Sequence, residues 1–544
     1  MRASSTWWLA VWASGIATGC VAPAVRPGQV TPGTEDGVIL LSVTWNSPNV
    51  LGIDVLDVER VDAGHGGIGV AVSGQQLTVV GSRDTSLLVG ALPAGEYRIT
   101  GFQGSVMAWH KAAMTFTKGF WAPARAAIRP DPESARVGVF RVEPGAVHDL
   151  GRVVLAVEAG EKHWVWNASI YGDPLRGAIG RSAITTSNAD LVRRFSPENA
   201  RLLEGSVDRG WIAPRLPEDR VEENARSHPG GPLKLGLLSS GEGVAIGRFG
   251  AWMIRDRGGR WSVSNAPGIE SFLCLLPVGP GAVRSLDGVL AVAVGEFNSI
   301  AALDATGRVR RLSPGNMPPG NLIFVQGDDR EGWTVALVAR GAVTFHRSPM
   351  LEHGTWTVIQ TVRFATSSSY IWVWPTREGF GYANTEGALR VYHRTSGFFA
   401  DHQGRPGAER ILSLAYSPGV GIGVLTGSWY EPGHYFSRDD GRTWVETRSP
   451  FKVQKAPPQY TSQGQLLVMG ADRIVDHPIL RATKDGGATW EELAEELPAY
   501  TDVLDLPGVG LFQLGTGIAD GEMFIRSSSD GGRTWATEYP GGEP

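Results

Sequence analysis

Ser528-Ser529-Asp530-Gly531-Gly532-Arg533-Thr534-Trp535 closes a series of three near-identical octapeptides. The earlier copies are Ser437-Arg438-Asp439-Asp440-Gly441-Arg442-Thr443-Trp444 and Thr483-Lys484-Asp485-Gly486-Gly487-Ala488-Thr489-Trp490. A hydroxyl residue, Asp, Gly, Thr and Trp hold fixed places in all three. Trp444 and Trp490 are 46 residues apart (490 − 444), and Trp490 and Trp535 are 45 apart (535 − 490). Each residue type has a task in a tight turn. The Asp carboxylate accepts hydrogen bonds from the backbone N–H groups of its own turn. The Gly takes a backbone conformation that side chains disfavour. The hydroxyls cap the same turn, and the Trp opens the next strand and packs a large ring between layers. The octapeptide is thus a β-turn with an anchor, and its acids are structural rather than catalytic.

Weaker copies precede these at the same period. Asp256-Arg-Gly258-Gly-Arg-Trp261 keeps Asp, Gly and Trp, and Asp304-Ala-Thr-Gly307 keeps Asp and Gly. Gly354-Thr355-Trp356 keeps the tail, and Ser396-Gly397-Phe398 a turn and an aromatic. The anchors at 261, 309, 356, 398, 444, 490 and 535 are 48, 47, 42, 46, 46 and 45 residues apart. Seven units result, each long enough for four short strands.

The octapeptide resembles the Asp-box, or bacterial neuraminidase repeat, of sialidases and many non-sialidase β-propellers. In that family the box lies between the third and fourth strands of a blade. The resemblance implies an all-β chain in which 230–544 form a seven-bladed propeller, with Asp256, Asp439, Gly441, Trp444, Asp485, Gly487, Trp490, Asp530, Gly532 and Trp535 as its structural box positions. Closure is expected from packing of the first blade on the last, or from a connector strand such as His163–Trp166 joining a blade.

Composition agrees with turn-rich β structure. Of 544 residues 72 are Gly and 19 are Trp, while only 19% are charged. The net charge of −5 and the lack of a basic run argue against nucleic acid as a partner.

The first residues read as a targeting segment. Arg2 precedes an apolar stretch, Trp7 to Ala17, that is too short to span a bilayer. Ala17-Thr18-Gly19-Cys20 then resembles the lipobox of bacterial lipoproteins. The resemblance implies removal of residues 1–19 and lipid on Cys20, hence a membrane-anchored protein of the cell envelope. Val21 after the Cys implies the outer membrane in a Gram-negative cell. The only other cysteine, Cys274, lies in an apolar strand, so no disulfide framework or Cys-based zinc site is expected. Residues 20–36, rich in Pro and Gly, read as a tether. Strand-like runs over 37–158 resemble small prealbumin-like β-sandwiches of exported proteins. Residues 159–229 read as a connector with a short helix opening at Ser196-Pro197-Glu198.

Function is expected on the propeller face away from the boxes. The longest second-to-third-strand loops carry Trp429, Tyr430, Glu431 and His434 in one unit and Asp472, Arg473 and His477 in the next. Exposed aromatics beside charge suit a glycan or protein ligand, and the histidines suit pH-dependent binding. No cofactor or metal is expected. A sialidase-type hydrolase is the alternative. It needs three carboxylate-binding arginines, a Tyr–Glu nucleophile pair and an Asp acid. Arg215, in Pro214-Arg-Leu-Pro217, lacks the aromatic that precedes the Arg of the sialidase motif, and its match is read as chance.

Overall fold

The computed structural model describes residues 29–539, apart from 46–49, 62–68, 73–77, 82–83, 111–119, 131–137, 158–174, 184–186, 213–220, 228–231, 279–287, 340, 365–369, 398, 402–409, 418, 428–431, 455, 473–477, 495–500 and 517–522. The fold is largely all-β, in two parts. A sheet of eleven strands is drawn from residues 36–208, and seven antiparallel sheets follow one another from 232 to 539.

The first part grows from the strand Asp36–Trp45. Its residues 38–41 are apolar without alternation, the signature of a strand covered on both faces. Ile39, Leu41, Val43 and Trp45 enter one core with Phe102 and Phe140. Val38 and Leu40 point the other way, against Ala189, Val192 and Leu203. In hydrogen-bonded order the main strands are Gly69–Val72, Val50–Arg60, Gly95–His110, Phe120–Pro130, Leu175–Arg181, Val147–Val157, Asp36–Trp45, Thr85–Pro93 and Thr78–Gly81. The expected two-sheet sandwich is therefore not established. Hydrogen bonding makes one path, whose distant members, Ile53, Ile128 and Ile179 among them, share one core.

This part also runs past residue 158, because Leu175–Arg181 pairs with both Val147–Val157 and Phe120–Pro130. Among the described residues the connector carries two α-helices, Asn188–Phe195 and Val221–Ser227; the first is capped by Ser187, whose Oγ accepts from Asp190 N. Ser196-Pro197-Glu198 opens a 3-10 helix, Pro197–Leu203, and the Ser196 hydroxyl bonds the Glu198 side chain instead of the backbone. The proposed strand at His163–Trp166 lies outside the described residues. Within the stretch read as tether, Val30 is buried and its N–H donates to Asn199 Oδ1 at 2.8 Å, while 31 and 33–35 are exposed.

The seven sheets span 232–265, 272–311, 321–363, 371–401, 411–447, 453–494 and 501–539, each with its strands hydrogen-bonded in chain order. In the sixth, the first strand is split into Val453–Gln454 and Gln459–Tyr460. A sheet with two apolar faces needs a neighbour on each side. Every consecutive pair supplies one. Val244 and Ile246 meet Phe272 and Ala291 between the first and second sheets, and Trp374 and Val391 meet Leu414 and Val424 between the fourth and fifth. The seventh sheet packs against the first: Phe512, Leu514 and Ile525 share a cluster with Ala245 and Met253.

Ion pairs follow the same seams. They include Arg310–Glu352 between the second and third sheets, Arg394–Glu331 between the third and fourth, and Arg442–Glu378 between the fourth and fifth. Arg533–Glu491 joins the sixth to the seventh, and Arg255–Glu538 the first to the seventh.

Candidate functional site

The three octapeptide turns each join the third and fourth strands of a sheet. In the last of them Asp530 Oδ1 accepts from Thr534 N at 2.9 Å and Oδ2 from Thr534 Oγ1 at 2.6 Å. Ser528 Oγ donates to Asp530 Oδ1 and accepts from Gly532 N. Asp439 and Asp485 repeat this pattern. These bonds hold the Asp485 and Asp530 carboxyls below the usual carboxylate range. At Asp439 burial pushes up, and its hydrogen bonds from Thr443 and Ser437 outweigh it. Gly532 has φ +99°, and a side chain there would press on Leu480. Asp256 accepts from Arg260 N, and Asp304 from Thr306 and Arg308, so the weaker copies keep part of the pattern.

The Trp rings sit lower in importance than the sequence implied. Trp444, Trp490 and Trp535 are half-buried and lie against seam clusters rather than inside them. Trp444 Nε1 donates to Gly441 O at 2.9 Å, so the ring closes its own turn. Trp444→Ala should cost about 2 kcal/mol, below the value for a fully buried ring, and urea denaturation would measure it. Asp530→Ala should lower the melting temperature and leave ligand binding of the surviving folded protein unchanged, as read by calorimetric titration.

The loop residues divide. Trp429, Tyr430, Glu431, Arg473 and His477 lie outside the described residues, as does Cys20. Asp472 is exposed at the end of the strand Leu466–Ala471. His434 is elsewhere than expected. It is fully buried in the strand Gly433–Ser437, opposite Leu425 and Thr447, and neither ring nitrogen has a hydrogen-bond partner. Burial pushes its pKa down to about 4. A surface role near neutrality gives way to a place in the core.

Sequence reasoning missed a charged cluster between the two parts of the molecule. The second-to-third-strand turns of the first two sheets are Gly247-Arg248-Phe249-Gly250 and Gly295-Glu296-Phe297-Asn298. They are 48 residues apart (295 − 247). Each holds its Phe at positive φ, +53° at Phe249 and +51° at Phe297. Such a conformation costs on the order of 1–3 kcal/mol and persists only when its surroundings impose it. Gly295 is required by close approach, since a Cβ there would strike Ser271 O.

The charges of these turns meet at Asp84 and Thr85, where the strand Thr85–Pro93 begins. Arg248 Nε stands 2.9 Å from Asp84 Oδ1, an ion pair whose N–H is not aimed as a hydrogen bond. Glu296 accepts from Asp84 N at 2.8 Å, Thr85 Oγ1 at 3.2 Å and Ser271 N at 2.9 Å. Ser271 Oγ donates to Asp84 Oδ2 at 2.6 Å. Nearby, Glu270 lies 3.7 Å from Arg152 and 4.0 Å from Arg311. Burial pushes the Glu270 carboxyl up, but Arg152, Arg311 and Arg226 outweigh it and hold it ionised. Arginines therefore do converge, and the carboxylate among them is the chain's own.

Among the described residues, no group of three or more His, Cys, Asp and Glu side chains is placed to hold a metal ion. No helix among them is long and apolar enough to cross a membrane.

The chain is similar in fold, distantly, to β-propeller structures. The structure of virginiamycin B lyase from Staphylococcus aureus shares 11% identity, covering 54% of this chain and 94% of that one, with a TM-score of 0.39. YCF48 bound to D1 peptide shares 14%, covering 56% and 93%, at 0.42. The WD40 propeller domain of Doa1 shares 10%, covering 56% and 91%, at 0.32. No family model matches the chain, and no curated protein does.

Proposed function

We propose that the chain is a lipid-anchored, non-catalytic protein of the bacterial envelope whose seven sheets close into an Asp-box β-propeller that binds a protein, glycan or cell-wall ligand. The observation that carries this reading is the internal use of the repeated acids. Asp439, Asp485 and Asp530 spend their lone pairs on their own turns, so the repeats act as scaffold. Closure is supported by the cluster shared between the first and seventh sheets and by the Arg255–Glu538 pair. In such a ring the fifth and sixth sheets stand across from the first and second, which meet the N-terminal part. Their second-to-third-strand loops, between Thr426 and Gly433 and between Ala471 and Ile479, are longer than those of the first four sheets, and surface loops carry function on rigid scaffolds.

The test is a glycan and envelope-protein binding screen on wild type and on a Trp429→Ala, Arg473→Ala double variant. Loss of a bound ligand at unchanged melting temperature is expected. Equal binding by two equally stable proteins would remove these loops from the site. Release of sialic acid by wild type would move the assignment to a sialidase-type hydrolase. Against that alternative stands the filling of the arginine cluster by Glu270, since a substrate carboxylate would need such arginines open. Anchoring is tested separately. Cys20→Ser should shift the protein from the membrane fraction to the soluble one, and unchanged retention with no lipid on the mature N-terminus would reject the anchor.

A further inference from the structure

We infer that the paired Gly-charge-Phe turns of the first two sheets are a docking device for the chain's own N-terminal part, making that part a fixed component of the ligand-facing side rather than a spacer. Four observations converge on it. The two turns repeat in sequence, in position within their sheets and in backbone strain, so one structural solution is used twice. Their charges are opposite, and both act on one dipeptide: Arg248 meets the Asp84 side chain, while Glu296 takes the Asp84 N–H and the Thr85 hydroxyl. A lone cation or a lone anion would leave part of that dipeptide unmet.

Their aromatic rings are also used in the same way. Phe249 shares a buried cluster with Val154 and Ile269. Phe297 stands edge-on to Phe195 at 5.0 Å. Each ring thus reaches an element of the N-terminal part, one a strand and the other a helix. Finally, the groups are removed from water. Asp84, Arg248 and Glu296 are at most 4% exposed. Buried charges persist when paired, and loss of one partner leaves the other exposed to the full desolvation penalty.

The corresponding turns of the third and fourth sheets are built differently. The third sheet turns tightly before Ala342, and the fourth turns through Thr385-Glu386-Gly387, held by Asn384. Among the described residues, docking is therefore addressed to one pair of adjacent sheets.

Hydrogen exchange of the full chain, read by mass spectrometry, tests it. The variants are Glu296→Gln, Arg248→Met, and the neutral pair Asp84→Asn with Arg248→Met. In wild type the segments 84–93 and 269–273 should open only with global unfolding. Each single variant should speed exchange in both segments by about 10-fold or more, with the third to sixth sheets unchanged. The neutral pair should recover at least half of the logarithmic change, because neither member of the Asp84–Arg248 ion pair is left without its counter-charge. If Arg248→Met does not fold, Thr85→Val, which removes one hydroxyl, supplies a smaller change in the same two segments. Wild-type exchange in the single variants, or faster exchange confined to the sheets while 84–93 stays protected, would overturn the docking role.

Discussion

Replacing Glu538 with Ala should lower the free energy of unfolding by about 3 kcal/mol, the largest effect expected from any single seam contact. The carboxylate is bidentate to Arg255, at 2.7 Å to both Nε and Nη2, and also accepts from Trp261 Nε1 at 2.9 Å. The two charged side chains are only 16% and 10% exposed. Removing one therefore leaves a guanidinium and an indole N–H unmet in a partly dry seam. These groups join the last strand of the last sheet to the first sheet, so the number measures closure. Glu491→Ala is the internal control. It breaks the Arg533 pair, whose members are 48% and 51% exposed, and should cost no more than about 0.5–1 kcal/mol. Urea denaturation of both variants gives the comparison. Equal, small losses would mean that the first and last sheets are not held together by this contact.

The second large effect is in acid. His434 has a pKa of about 4 in the folded chain, against 6.5 for an ordinary imidazole. Between those values the unfolded chain binds a proton that the folded chain does not, so stability falls as pH falls. The contribution is fully present above 6.5 and is lost progressively down to about 4. A gap of that size corresponds to about 3 kcal/mol. His434→Leu removes the titrating group and an unpartnered polar ring from the core. Its unfolding free energy should change less between pH 7 and pH 4 than that of wild type. A parallel pH dependence for the two proteins would refute the assignment. His346, also pushed down by burial but bonded to Thr344, should make a smaller contribution of the same sign.

What the sequence made legible was local. An octapeptide that closes a turn on itself carries its own hydrogen-bond partners, all within four residues, so a fixed period suffices to count the seven units. His434 was misplaced because a histidine beside a long loop looks like loop. In fact it is the second residue of a strand whose alternation, half-buried Gly433 and buried His434, sends it inward. The charged cluster between the two parts was illegible for a different reason. Asp84 and Arg248 are 164 residues apart (248 − 84), and nothing near either residue announces the other. Its only trace was the stretch Val244-Ala-Ile-Gly-Arg-Phe-Gly250, which returns as Val292-Ala-Val-Gly-Glu-Phe-Asn298. The reversal of charge hides the repeat from a search for identical residues, and that reversal is what the shared partner requires. The N-terminal part was the least legible, because one continuous sheet built from strands far apart in sequence leaves no period to find.

The burial of Val30 sets a length. With Cys20 as the proposed lipid-bearing residue, the chain between anchor and Val30 is residues 21–29, nine in number (29 − 20). Fully extended, nine residues reach no more than about 32 Å. That is close to the thickness of a bilayer's hydrocarbon core. The protein would then work as a body moored close to the membrane surface, and a partner would have to come to it.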